Sequence, residues 1–225
     1  MFTPKTFAFL KDLEKNNNKA WFQKNKARYE DDLLEPMLGF IRAMAPRLDK
    51  ISPHIRASDK KVGGALMRIY RDVRFSKDKS PYNTFLAARF GHEAGKSAGG
   101  VGFYFRVTAT DCGLGTGIWQ PETALAHKIR THISKHPKAW KTATTGKAFR
   151  DTFGALAGES LKRPPKGFDP EHVHIEDLKR KDFVAFTEWK PAQAKKADID
   201  AQVAKAYRAS SKLVAFLCDA MGLPF

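Results

Sequence analysis

The sequence predicts an α+β fold: a single domain, residues 1–225, with a mostly antiparallel or mixed sheet packed by N-terminal, middle and C-terminal helices. Apolar residues recur at steps of three and four near both ends and in the middle, and they alternate with polar residues at a period of two in between. Composition adds a third observation. Hydrophobic residues make up 42% of 225 residues, with 17 Phe and 4 Trp, enough to fill one core.

Thr3-Pro4 reads as an N-cap followed by a first-turn proline, and Phe7, Leu10 and Leu13 mark one face of a short helix. Asn16-Asn17-Asn18 breaks it. Phe22, Tyr29, Leu33, Met37, Phe40, Met44, Leu48 and Ile51 then continue an apolar stripe that Pro36 and Pro46 should bend or divide. From Met67 the period becomes two: Met67, Ile69, Val73 and Phe75 share one side of an expected strand, and Arg68, Tyr70, Asp72 and Arg74 the other. Arg71 falls on the apolar side, which calls for a bulge or a partner, Asp72 or Asp78.

Thr84 to Phe90 and Gly102 to Thr110 read as further strands, joined by the small-residue loop Gly91 to Gly100. Cys112 to Glu122 holds Gly113, Gly115 and Gly117. Neither the dinucleotide fingerprint nor the P-loop is matched there, so the stretch reads as a glycine-rich turn into a helix opened by Pro121. Leu125, Ile129 and Ile133 form that helix's stripe, with His127 and Arg130 on other faces. Leu161 to Pro170 is a proline-rich loop, Phe183 to Trp189 a strand, and Val203 to Met221 a terminal helix stopped by Gly222.

Lys and Arg total 40 against 24 Asp and Glu, a formal charge of +16, which attracts polyanions. Cys112 and Cys218 are too few for a disulfide framework and are expected to be reduced. No apolar run approaches the ~20 residues of a membrane span and no secretory leader is visible at Met1, so the expected location is cytoplasmic, with no membrane partner. No metal site is expected, because His172, His174 and Asp177 match no zinc spacing. No cofactor motif is complete, and the sequence assigns neither a cofactor nor an oligomeric state.

The densest chemistry lies in Arg68-Ile69-Tyr70-Arg71-Asp72-Val73-Arg74-Phe75-Ser76-Lys77-Asp78-Lys79-Ser80-Pro81-Tyr82. Forked guanidinium donors at Arg68, Arg71 and Arg74, with Lys77, Lys79 and the Ser76 hydroxyl, suit a phosphate-bearing or other anionic ligand, nucleotide or nucleic acid, with Tyr70 or Tyr82 stacking on a base. The bland alternative is a network of ion pairs pinning the turn. A second reading is an enzyme acting on an anionic substrate such as a phosphoester, with Asp72 or Asp78 as catalytic acid, base or metal ligand. A third is a noncatalytic scaffold whose basic surface and Trp21, Phe22 or Trp119 meet a protein or nucleic-acid partner.

That central segment, with Asn18-Lys19-Ala20-Trp21-Phe22, Gly117-Ile118-Trp119-Gln120-Pro121-Glu122, Ile129-Arg130 and Pro165-Lys166-Gly167-Phe168-Asp169-Pro170, resembles the DUF2461 family over nearly the whole chain. The resemblance implies a single full-length α+β domain. It brings no catalytic residue, substrate or cofactor with it.

Overall fold

The computed structural model describes residues 1–60 and 63–225. Helix α1 (Pro4–Lys15) opens as the local chemistry dictates: Thr3 is extended, Pro4 takes a first-turn position, and the Thr3 amide donates to Thr6 Oγ1 at 3.1 Å. Its face of Phe9, Leu10 and Leu13 is fully buried. The three asparagines then each satisfy backbone groups. Asn16 Nδ2 donates to the Asp12 carbonyl at 2.9 Å, Asn18 Oδ1 caps α2 (Lys19–Lys24) through the Trp21 amide at 2.9 Å, and Asn17 reaches 65 residues along the chain to Tyr82.

After α3 (Lys26–Tyr29) the helix widens into a π turn at Glu30–Leu34, just before α4 (Glu35–Asp49). Pro36 has no N–H to give to the Asp32 carbonyl, which is the local cause of the change in winding. Pro46, also expected to bend or divide the helix, does not interrupt it: α4 runs on to Asp49.

The sheet has five antiparallel strands: β1 (Leu86–Gly91), β2 (Gly102–Val107), β3 (Cys112–Ile118), β4 (Leu156–Ala157) and β5 (Phe183–Trp189), in the order β1-β2-β3-β5-β4. Phe103, Phe105 and Val107 face one side, beside Cys112 and Leu114 of β3, and pack against the helices: the Phe105 ring lies 4.3 Å from Phe40 and 5.8 Å from Phe2. Tyr104, Arg106 and Phe186 project from the other side.

The glycine-rich stretch expected to be a turn is instead β3, at the centre of the sheet and buried throughout. Glycine is there to make room. A Cβ on Gly113 would sit 2.3 Å from Phe186 Cζ and 2.8 Å from Arg106 Nε, so the bare backbone seats the Phe186 ring, over which the Arg106 guanidinium stacks at 5.0 Å.

Helices α5 (Thr123–Lys135), α6 (Pro137–Thr145) and α7 (Lys147–Phe153) follow, with α8 (Ile175–Leu178) and α9 (Pro191–Ala194) bracketing β5. Arg130, expected on an outer face of α5, is only 9% exposed. Its Nε and Nη2 donate to the carbonyls of Leu178 and Arg180, each at 2.7 Å, and so fix the approach to β5. The terminal helix is two helices, α10 (Ile199–Ala209) and α11 (Ser211–Ala220). The break is at buried Ser210, whose Oγ turns back to the Tyr207 carbonyl at 3.0 Å. Cys112 and Cys218 are free and buried, and no helix among the described residues is long and apolar enough to cross a membrane.

Candidate functional site

Residues 67–75 do not form the regular strand that their alternation predicted. They belong to an irregular two-stranded arm in which 65–71 runs antiparallel to 81–89, held by Arg89 N to Ala65 O (2.8 Å), Met67 N to Ala87 O (2.9 Å), Asn83 N to Ile69 O (2.7 Å) and Arg71 N to Pro81 O (2.9 Å). Pro81 donates nothing, which keeps the ladder broken. Of the four residues placed on the apolar side, Ile69 is buried, Val73 half-buried, Met67 exposed, and Phe75 stands out at 95% exposure.

The base of the arm is clamped to the N-terminal helices. Asn17 Nδ2 donates to the Tyr82 carbonyl at 2.9 Å and its Oδ1 accepts from the Tyr82 amide at 3.1 Å. The Tyr82 ring stacks on Phe22 at 4.0 Å and is 2% exposed, so it is a core residue. Burial raises its phenol pKa above the ordinary value. Of the two tyrosines expected to stack on a base, only Tyr70, 58% exposed and 5.2 Å from Tyr82, presents a face to solvent.

The tip, 72–80, braces itself. Asp78 accepts from the Ser80 hydroxyl at 2.6 Å and the Ser80 amide at 2.9 Å, and pairs with Arg71 Nη1. Those three contacts, the serine's first, hold its carboxyl well below the usual range. Arg71 adds longer contacts to Ser80 O (3.3 Å) and Ser76 Oγ (3.5 Å). Asp72 grips the fork of Arg74, with Nε to Oδ1 at 2.9 Å and Nη2 to Oδ2 at 2.6 Å, which lowers its own pKa as well. Lys79 Nζ donates to the carbonyls of Val73 (3.0 Å) and Arg74 (3.4 Å).

The structure therefore gathers Arg71, Ser76 and Asp78 in one network and Asp72 with Arg74 in another. Arg68 and Lys77 make no ion pair among the described residues. Carboxylates held this low are counter-ions near neutral pH and cannot donate a proton there. The large cleft of the molecule, about 980 Å³, lies elsewhere and takes only Met67 from 67–82.

His174 and Asp177 are locked into local structure: His174 Nε2 lies 3.0 Å from the Pro137 carbonyl, and Asp177 accepts from Trp140 Nε1 at 2.8 Å and Arg180 Nε at 2.9 Å. Among the described residues no group of three His, Cys, Asp or Glu gathers as metal ligands would.

Sequence reasoning placed Phe75 on a buried face and missed Asn17 as the clamp. The signal for Phe75 was its position between Arg74 and Ser76-Lys77 in a stretch of alternating charge, where a loop tip competes with a strand. Nothing among the curated proteins or the solved structures matches this chain. The family model described as a conserved hypothetical protein, DUF2461, matches residues 5–216, and the chain belongs to that family.

Proposed function

We propose that this protein binds single-stranded nucleic acid, with the tip of the 65–89 arm as the contact that reaches the bases. The observation that carries the reading is Phe75: a ring 95% exposed, on a braced loop, with the Arg74 guanidinium carbon 5.8 Å from its centroid and Lys77 two residues on. A phenyl ring in water forgoes roughly 1.5–3 kcal/mol of burial, which stacking on an unpaired base recovers. The braced tip means that little further ordering has to accompany binding.

Charge supports the same partner. A formal +16 spread over the folded surface provides the sequence-independent attraction that polyanion binding needs, and Arg68 and Lys77 are free to meet phosphates. The tip is a projecting loop and not a pocket, so it suits a polymer laid across the surface better than a small molecule enclosed by it.

Fluorescence anisotropy tests this with three probes: a labelled single strand, the duplex of the same sequence, and heparin, which has the charge but no bases. The single strand should bind most tightly and resist heparin competition at matched charge. Equal affinity for all three, or no binding to the single strand at about 50 mM salt, would refute the reading.

A further inference from the structure

We propose that the large cleft is a second, independent site, which binds a small organic phosphate of nucleotide size. It uses none of the charged residues of the arm tip and stands if the nucleic-acid reading falls. Among the described residues four cations from four separate segments reach it: Arg56, Arg89 on β1, Lys96 in the 95–98 turn, and Lys128 on α5. Arg56 is spent on Glu93, whose carboxylate also meets His54 Nδ1 at 2.6 Å. Arg89, Lys96 and Lys128 have no carboxylate partner among the described residues. Among the described residues of the lining the cations outnumber the carboxylates, Glu93 and Glu122, so the unpaired cations repel one another and an anion placed among them relieves that repulsion.

The backbone is built around Arg89. Gly100 has φ +86°, and a Cβ there would lie 1.9 Å from Arg89 Nη2, so the glycine leaves room for the tip of the guanidinium beside the loop. On another wall Gln120 adopts φ +47°, the one non-glycine residue with positive φ among those described, its amide held by Asp182 Oδ1 at 2.8 Å. Gln120 and Glu122 supply an amide and a carboxylate that has no ion pair among the described residues, groups that pair with the amino and ring N–H edges of a base. Leu66, Met67, Leu125 and Met221 offer apolar contact for a flat ring. A volume of about 980 Å³ is that of a metabolite site. Phosphate on the arginine and lysines, with a polar-edged ring against the apolar wall, is the ligand that uses every part.

Calorimetric titration of the full chain at about 150 mM salt tests it with AMP, GMP, CMP, UMP and ribose 5-phosphate, and with inorganic phosphate and the nucleosides as controls. At least one nucleotide should saturate with one molecule per chain, about tenfold or more tighter than its nucleoside and than inorganic phosphate. Arg89→Gln and Lys128→Gln are exposed substitutions, and each should weaken that binding about tenfold or more with the thermal midpoint unchanged, while Phe75→Ala leaves it intact. The inference is overturned if no phosphate in the panel saturates below about 1 mM. It is equally overturned if a nucleoside binds as tightly as its nucleotide, or if both variants, still folded, bind like the parent chain.

Discussion

Phe75→Ala separates base stacking from charge in a single experiment. The side chain is 95% exposed, with the Arg74 guanidinium 5.8 Å from its ring centre, so truncation takes nothing from the core. The thermal midpoint should not move, since surface changes of this kind stay within about 0.5 kcal/mol. Binding to a single strand should lose about 1–3 kcal/mol, the worth of one stacked base, which is roughly five- to 150-fold in Kd. Because a phenyl ring neutralises no phosphate, the slope of log K against log salt should stay the same. Lys77→Gln should behave in the opposite way, lowering the slope by about 0.7 with a loss that fades as salt rises. Arg74→Gln should alter the slope less cleanly, because its charge is already balanced by Asp72 at 2.6 Å and the substitution frees that carboxylate. Anisotropy titrations of parent and variants across several salt concentrations read all three. An unchanged Kd for Phe75→Ala, or a change that appears only in the slope, refutes the stacking role of the tip.

Gly113→Ala should destabilise the fold by about 1–3 kcal/mol in urea denaturation, because the new methyl meets Phe186 at 2.3 Å; a neutral result would show that β3 does not need the bare backbone. Arg130→Met strands the Leu178 and Arg180 carbonyls that it now serves at 2.7 Å and should cost about 2–5 kcal/mol in the same assay, with Arg130→Lys in between. Burial pushes the thiols of Cys112 and Cys218 up to about 12, so both should resist an aromatic disulfide reagent at pH 8 until the chain unfolds, and modification of the native protein at the rate of free cysteine would contradict their burial. The sign for stability follows. The unfolded thiols ionise near their ordinary value while the folded ones keep their protons, so this contribution is complete at neutral pH and is lost as pH rises toward about 12, which alkaline melting curves measure.

What was readable in the sequence is what is decided locally. The Thr3-Pro4 start, the asparagine break, the disturbance expected at Pro36 and the alternation of β2 depend on neighbours within a few residues. β3 was unreadable because its glycines answer to Phe186, some seventy residues away, and glycine carries no polar or apolar pattern of its own. Arg130 looked like a surface cation for the same reason: its acceptors are 48 and 50 residues distant. Ser210 broke the terminal helix through its own hydroxyl, a local cue that a stripe drawn through Val203, Tyr207 and Val214 overrode. In the arm, the partnership of Arg71 with Asp78 was anticipated, but the alternation of 67–75 suggested a regular strand because it ignored Pro81 and the clamp from Asn17.

The contrast between the arm and the cleft has a common cause. A motif that is dense in both signs over a short span neutralises itself, since Asp72 lies two residues from Arg74 and Asp78 seven from Arg71, and a short loop brings those partners together. Its compactness in sequence is what removes much of its charge from use, leaving the ring of Phe75 and the free Arg68 and Lys77 as what it offers a partner. Among the described residues Arg89, Lys96 and Lys128, delivered to the cleft by separate elements, have no carboxylate partner. The part of the molecule most conspicuous as an anion site in one dimension is therefore largely balanced in three, and the cations that line the cleft come from residues that no stretch of sequence places together.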